Sequence, residues 1–439
     1  MAQNEDHQRE KDQRAEKEHH NKLIEIRRSL HTYPEPAWCE FYTTSRVVEE
    51  VERIGVDELY VGEEVLKTDE RVSVPSDEEL EEWWERARQH GAREDVLEAT
   101  KGGYTGAVAV LKRGDGPVVG LRVDIDALPR QESKDESHIP AKEGFISKNE
   151  GYMHACGHDA HMAIGLGVLE RVKDSDFEGT FKVLFQPGEE MIAGGKPMAK
   201  SGHLDDVDYF FAVHVGLGRP TGEVVAGIEG FLAVNQFKAR FAGRSAHAGG
   251  NPNEGDNAVQ AMATAVQNLY SIPRHKDGKT RVNAGKVGGG TATNIIPEDA
   301  FIEGEVRGET TELKEYMKEK TKRVLRSAAE MHGCEVEIEN KGEAPSAKSD
   351  QELVDIVYSV AQETDGVETA TERGELGGSE DATFLMEEVQ GNGGYATYVC
   401  VGTDHPTGHH TATFDVDERT LGIGVDVLTR SVLKAAEGL

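Results

Sequence analysis

Pro117–Pro129 is PVVGLRVDIDALP, a short apolar run that ends on two aspartates, Asp124 and Asp126. An apolar stretch of this length that gives way to polar residues predicts a buried strand opening into a functional loop. The same design recurs in GTFKVLFQPGEE (179–190), VDYFFAVHVGLG (207–218) and ATYVCVGTDHPTGHH (396–410). Between them lie stretches such as HMAIGLGVLERVK (161–173), whose apolar residues return every three or four positions as on a helix. Strands alternating with helices predict an α/β sheet, mostly parallel, with its ligands at the carboxyl ends of the strands. The polar strand ends would then meet in one cleft.

The pattern changes between residues 231 and 343. NQFKARFAG, GDNAVQAMATAVQNLYSI, RVNAGKVGG, AFIEGEVRG, ELKEYMKEKTKRVLRSAAEMHG and EVEIEN follow one another in the order βαββαβ, the split ferredoxin-like motif. This predicts an inserted α+β domain over 231–343. It divides a catalytic domain into 23–230 and 344–439, with a polar N-terminal segment over 1–22. Within the first part, residues 67–100 form an acidic insertion in which Ser76 and Glu79 make a capping-box pattern ahead of Trp83 and Trp84. The two tryptophans are expected to anchor that helix to the body. The sequence contains neither an internal repeat nor a low-complexity tract.

The 439 residues are enough to bury at least two cores. Against 49 basic residues stand 81 acidic ones, a formal charge of -32 that repels phosphate backbones and anionic lipid, so nucleic-acid and membrane binding are not expected. The charge is spread along the chain, which fits a strongly hydrated surface in a salt-rich cytoplasm better than a docking face for one basic partner. Cys39, Cys156, Cys334 and Cys400 are too scattered for a disulfide framework and fit a reducing compartment. No apolar run suits a signal peptide or a membrane span, so a cytoplasmic protein is expected.

GYMHACGHDAHM (151–162) brings His154, Cys156, His158 and His161 together. Gly157 lets the backbone turn so that a thiolate and an imidazole can face one cation. Glu189 and Glu190 end a second strand, His214 a third, and His409 and His410 follow a fourth. Each residue alone has an ordinary explanation: a solvated acidic turn, a satisfied core histidine, an exposed pair. Jointly they supply about five ligands, enough for two divalent ions and a hydrolytic site.

HACGHDAHMAIGLG, FQPGEE, AVHVG, SAHAG, NIIP and GHH, in this order, resemble the amidohydrolase branch of the aminoacylase and carboxypeptidase metallopeptidase superfamily, over about residue 24 to the C-terminus. EELEEWWERARQHGA, GGYTGAVA, SEDATFLM and GHH are most similar to its p-aminobenzoyl-glutamate hydrolase A-subunit group. The resemblance implies that Cys156, His158, Glu190, His214 and His410 ligate two divalent metal ions, Mn or Zn, and that Glu189 is the general base. It ranks His410 above His409 as the ligand. It also implies that Asp124 orients a ligand, with Asp126 competing for that role. His154 and His161 are left as packing residues. His247 is implied to reach into a partner subunit's cleft, and Asn294 and Arg307 to anchor the α-carboxylate of the substrate. A homodimer, or a heterodimer with a related subunit, follows from that arrangement, the inserted domain serving as lid and dimerisation element.

The implied activity is hydrolysis of an N-acyl or N-aroyl amino acid, with a p-aminobenzoyl-glutamate-like compound preferred. A dipeptidase or aminoacylase of the same superfamily, or a partner-dependent metal-binding subunit without activity of its own, are the alternatives. Gly188 and Met191 depart from the residues that relatives often carry beside the glutamate pair, which bears on pocket shape.

Overall fold

A computed structural model describes residues 2–405 and 407–438, with side chains from residue 17 onward. Among the described residues there are twelve strands: β1 (Glu58–Val61), β2 (Ala107–Arg113), β3 (Val118–Asp124), β4 (Gly179–Gln186), β5 (Tyr209–Val215), β6 (Glu223–Glu229), β7 (Ala233–Ala242), β8 (Thr280–Gly289), β9 (Asp299–Gly308), β10 (Glu335–Ala344), β11 (Thr369–Glu375) and β12 (Tyr395–Val401). Eight form one sheet in the order β1-β2-β4-β3-β5-β12-β6-β11. Its centre, β4-β3-β5-β12, is parallel throughout, and antiparallel pairs occur only toward the two sides. Because these four strands run the same way, Asp124 lies beside Gln186 and Cys400 beside His214, and the polar loops leave the sheet at one edge.

Both faces of the sheet are covered, which is why its strands are apolar on both sides rather than alternating. The helices His158–Lys173, Gln351–Gln362 and Arg419–Ala436 pack on one face through Ile164, Val168, Val357, Val425 and Leu428. Asp77–Gln89 and Ala382–Gly391 close the other through Trp83, Trp84, Leu385 and Val389. The acidic insertion is thus held by its tryptophans: Trp84 Nε1 donates to the Leu97 carbonyl, and Trp83 meets Tyr152 edge-on at 4.9 Å between ring centroids. Ser76 Oγ accepts from the Glu79 amide at 3.3 Å and caps the helix.

The other four strands form an antiparallel sheet in the order β10-β7-β9-β8, with Ala258–Leu269 and Thr311–Met331 on one face. That order, with the chain path βαββαβ, is ferredoxin-like. The fold is therefore α/β with an inserted α+β unit.

The polar opening stretch belongs to a helix, Ala2–Thr32. At its described end His19 and Lys22 reach Glu170, and Arg27 enters the core. No helix among the described residues is long and apolar enough to cross a membrane.

Candidate metal and hydrolytic site

Gly157, with φ of 93°, stands at the junction where the loop carrying Cys156 becomes the helix that begins at His158. A side chain there would be strained and would also strike Val215, so glycine is needed for both reasons. Cys156 Sγ lies 3.5 Å from His214 Nε2 at the end of β5. His214 donates its Nδ1–H to the Val215 carbonyl at 2.7 Å, which leaves Nε2 as a lone pair facing the thiol. Burial, then the neighbouring His161 and His409, push its basicity well below the ordinary histidine range, so the ring stays neutral.

His158 is fixed in the same manner. Its Nδ1 donates to the Asp126 carbonyl at 2.8 Å, while Nε2 faces Asp124 Oδ2 at 3.7 Å, Glu190 Oε1 at 3.7 Å and Glu189 Oε2 at 3.8 Å. Burial opposes a charge on this ring, but Asp124, Asp126 and Glu190 outweigh it and hold it up at about 10. Burial, followed by the nearby carboxylates, pushes Glu189 and the Cys156 thiol up. His158 Nε2, Glu190 Oε1 and Asp126 Oδ1 are buried and lack a hydrogen-bond partner. These orphaned atoms stand among carboxylates, a thiol and the neutral His214, and a divalent cation that takes the place of the His158 Nε2 proton would satisfy them together, so the donor set fits metal.

The two C-terminal histidines divide the remaining space. His410 Nε2 lies 3.5 Å from Glu190 Oε2, and its ligand atom shares a 4.8 Å neighbourhood with those of Cys156 and Glu190. His409 occupies a similar neighbourhood with Cys156 and His214, yet its Nε2 sits 3.2 Å from the Val215 carbonyl. The His410 amide donates to the Ala155 carbonyl at 2.8 Å, tying this loop to the one before Cys156.

The loop after β4 is held by buried carboxylates from three distant places. Gly188 N donates to Glu40, Glu190 N to Asp126, and Gly194 N and Gly195 N to Asp381. Of the two aspartates, Asp124 ending β3 and Asp126 just beyond it, Asp126 thus braces Glu190 directly. Asp124 binds His161, whose Nε2 accepts from the Val215 amide at 2.9 Å, so His161 joins two strand ends rather than facing the cluster. His154 is buried with both ring nitrogens unpartnered. A Cβ at Gly194 would fall on the Pro187 carbonyl. Gly194→Ala is therefore expected to cost about 1–3 kcal/mol of stability in chemical denaturation and to disturb the Glu189–Glu190 turn. A loss below a few tenths would mean that the loop adapts freely.

Arg122, Glu40, Glu380 and Asp381 were not singled out from the sequence. An arginine inside the apolar run VVGLRV was the available signal, since a charge there requires buried partners. It finds Asp124, Gln186, Glu380 and Asp381.

The inserted unit presents the other candidates. Arg307 pairs with both Glu305 oxygens and reaches Ser379 Oγ at 3.4 Å, next to Glu380. His247 and Asn294 lie on adjoining loops, joined by the His247–Ile295 bridge and the Ala248 N to Asn294 O bond. Among the described residues, none of their hydrogen bonds or ion pairs reaches the cluster.

Residues 120–434 match the family model of peptidase family M20/M25/M40. The chain belongs to this family. The A-subunit of p-aminobenzoyl-glutamate hydrolase from Escherichia coli K12 is 42% identical to this M20 chain over 416 residues, 94% of this chain and 95% of that protein. Indole-3-acetyl-aspartic acid hydrolase from Enterobacter agglomerans is also 42% identical, over 415 residues covering 94% and 95%. The crystal structure of an aminobenzoyl-glutamate utilization protein from Klebsiella pneumoniae superposes with a TM-score of 0.83 at 34% identity, covering 96% and 98%. A Bacillus subtilis dinuclear metal-binding peptidase of the M20 family gives 0.68 at 25% identity, covering 96% and 100%. This M20 chain is a hydrolytic enzyme, and its site is one for divalent metal.

Proposed function

We propose that this M20 enzyme hydrolyses the amide bond of an N-acyl or N-aroyl amino acid, with a p-aminobenzoyl-glutamate-like substrate preferred. Both 42%-identical relatives are named for compounds that join an aromatic acyl group to an acidic amino acid. The observation that carries the reading is Glu189, a buried carboxylate whose oxygen shares a 4.8 Å neighbourhood with the His158 and Glu190 ligand atoms and which the five ligands leave available as a base.

In this reading Cys156, His158, Glu190, His214 and His410 hold two divalent ions, which polarise the scissile carbonyl and acidify water. His410 is preferred to His409 because Val215 already occupies the His409 Nε2. The thiolate and imidazoles suit zinc and the carboxylates suit manganese, so metal analysis of protein purified without chelator decides between them. Glu189 takes a proton from water as the acyl carbon is attacked and passes it to the leaving nitrogen. Asp124 and Asp126 keep His161, His158 and the Glu190 turn in place.

Residues 231–343 act as lid and dimerisation element on a catalytic body of residues 23–230 and 344–439. His247 Nδ1 accepts from the Gly249 and Gly250 amides, so in the neutral ring the proton resides on Nε2, an outward donor suited to a developing oxyanion. Because His247 and Asn294 stand apart from the cluster of their own chain, they serve a cleft through closure or across a subunit interface. A homodimer or a pair with a related subunit provides that interface; the Escherichia coli relative is itself named as a subunit. Arg307 takes the substrate α-carboxylate. Four free cysteines and the charge of -32 support a reducing, salt-rich cytoplasm.

Metal-loaded protein in high salt, given a panel of N-acyl and N-aroyl amino acids, is expected to cleave aroyl-glutamates fastest and to lose activity on chelation. Cleavage of no panel member while metal is bound overturns the reading.

A further inference from the structure

Glu380 is neither one of the five ligands nor the base, yet it stands beside the base. Its ligand oxygen and those of Asp124 and Glu189 all lie within 4.8 Å of one another, and the three side chains are buried. Oε1 accepts from Arg122 Nη2 at 3.0 Å and from the Ala382 amide at 3.3 Å, and Oε2 accepts from the Tyr398 hydroxyl at 2.9 Å. A carboxylate has about four acceptor positions, so one remains open on Oε2. Among the described residues, Arg122 is the one cation within hydrogen-bond reach of this group, and it is shared with Asp124 and Asp381. The surroundings of the open position are therefore negative and call for a donor.

We propose that Glu380 accepts a hydrogen bond from the amide N–H of the substrate and then holds the leaving amine. The inference rests on the amide-hydrolase reading and deepens it. A nitrogen that receives its proton from Glu189 sits about 2.8 Å from that carboxylate. Two such bonds span up to about 5.6 Å, more than the 4.8 Å limit on the gap, so one nitrogen can touch both carboxylates. The reaction balances without Glu380 changing state: the water oxygen bonds to the acyl carbon, the C–N bond breaks, and the water proton passes through Glu189 to nitrogen. The nitrogen leaves with an added proton while facing two carboxylates.

Glu380 also adjoins the carboxylate anchor. Ser379, the preceding residue, meets Arg307 Nη1 at 3.4 Å and donates to the Leu232 carbonyl at 2.6 Å. In an α-amino acid the amine and the carboxylate share one carbon. Neighbouring residues of one segment thus address the two groups of the leaving product, Arg307 at Ser379 taking the carboxylate and Glu380 the amine. This selects α-amino acids as leaving groups over hydroxy acids or N-alkylated amino acids.

The test compares N-benzoyl-glutamate with the ester in which oxygen replaces the scissile nitrogen, for wild type and Glu380→Gln. Arg122 and the Ala382 amide pin the Gln carbonyl at the Oε1 position, which places NH2 where Oε2 accepted. The ratio of amide to ester kcat/KM is expected to fall about tenfold to a hundredfold in the variant. A general structural defect would lower both rates and leave the ratio alone, and that result overturns the inference. In a calorimetric readout, wild type is expected to bind glutamate more tightly than 2-hydroxyglutarate and Glu380→Gln to lose that preference; an unchanged preference also overturns it. Should the variant not fold, wild type alone still decides: N-benzoyl-N-methyl-glutamate, which has no N–H to donate, is expected to be cleaved at least about tenfold more slowly than N-benzoyl-glutamate. Equal rates refute the contact. Wild type that cleaves neither amide nor ester refutes the hydrolase reading itself, and this inference with it.

Discussion

Glu189→Gln is expected to lower kcat about a thousandfold while leaving metal content and substrate affinity in place. The substitution keeps size and shape, and the backbone contact from Ile192 N to the Glu189 carbonyl does not involve the side chain. On the proposed mechanism, what is lost is the acceptor that takes a proton from water and returns it to nitrogen. Glu189 shares a 4.8 Å neighbourhood with His158 and Glu190, so metal content is the readout that separates a base from a ligand at this position. Single-turnover cleavage of an aroyl-glutamate, run beside elemental analysis, separates the possibilities. A variant within tenfold of wild type removes Glu189 from proton transfer. A variant that loses metal makes Glu189 a ligand instead of a base. Retained binding with lost cleavage also disposes of the alternative in which this chain holds metal and substrate without turnover.

The parts of the site that could be anticipated are those encoded locally. Asp124, Glu190 and His214 stand where apolar runs end, and a strand end is visible in a dozen residues. The split βαββαβ order was equally accessible, because each element carries its own periodicity and the order alone specifies the sheet. Glu380 was not accessible in this way. Its meaning depends on Arg122, 258 residues earlier, and on Tyr398 from another strand, partners that only the strand order brings together. The opening stretch illustrates the converse. Its polarity predicts a polar N-terminal segment over 1–22; the helix Ala2–Thr32 runs past that boundary and places Arg27, which enters the core, five residues beyond it.

Arg27→Met is expected to destabilise the protein by about 3–5 kcal/mol, the cost of leaving buried carboxylates without their cation. Arg27 is about 1% exposed; Nε donates to Asp159 at 2.8 Å, Nη2 to Asp415, and Nη1 to Glu418 at 3.3 Å. Asp159 directly follows His158, and Asp415 lies five residues after His410, so one guanidinium ties the segments that carry these two histidines to the N-terminal helix. Arg27→Lys is not expected to rescue it, because a single ammonium cannot reproduce the forked contacts to three carboxylates. The network continues through His31, whose ring nitrogens lie 2.9 Å from Asp159 and 2.9 Å from Glu132. Burial disfavours a charge on His31, but the two carboxylates prevail and raise it from 6.5 to about 9. A histidine raised on folding adds stability in full below its unfolded value and loses it as pH climbs through the folded one. The stability gap between wild type and His31→Gln should accordingly be widest below pH 6.5 and narrow toward pH 9, as the imidazolium that binds both carboxylates gives up its proton. Chemical denaturation across that range measures both effects. A loss under about 1 kcal/mol for Arg27→Met would show that Asp159 and Asp415 find water or protonate instead. A gap for His31→Gln that stays constant with pH would show that folding leaves the proton affinity of the ring unchanged.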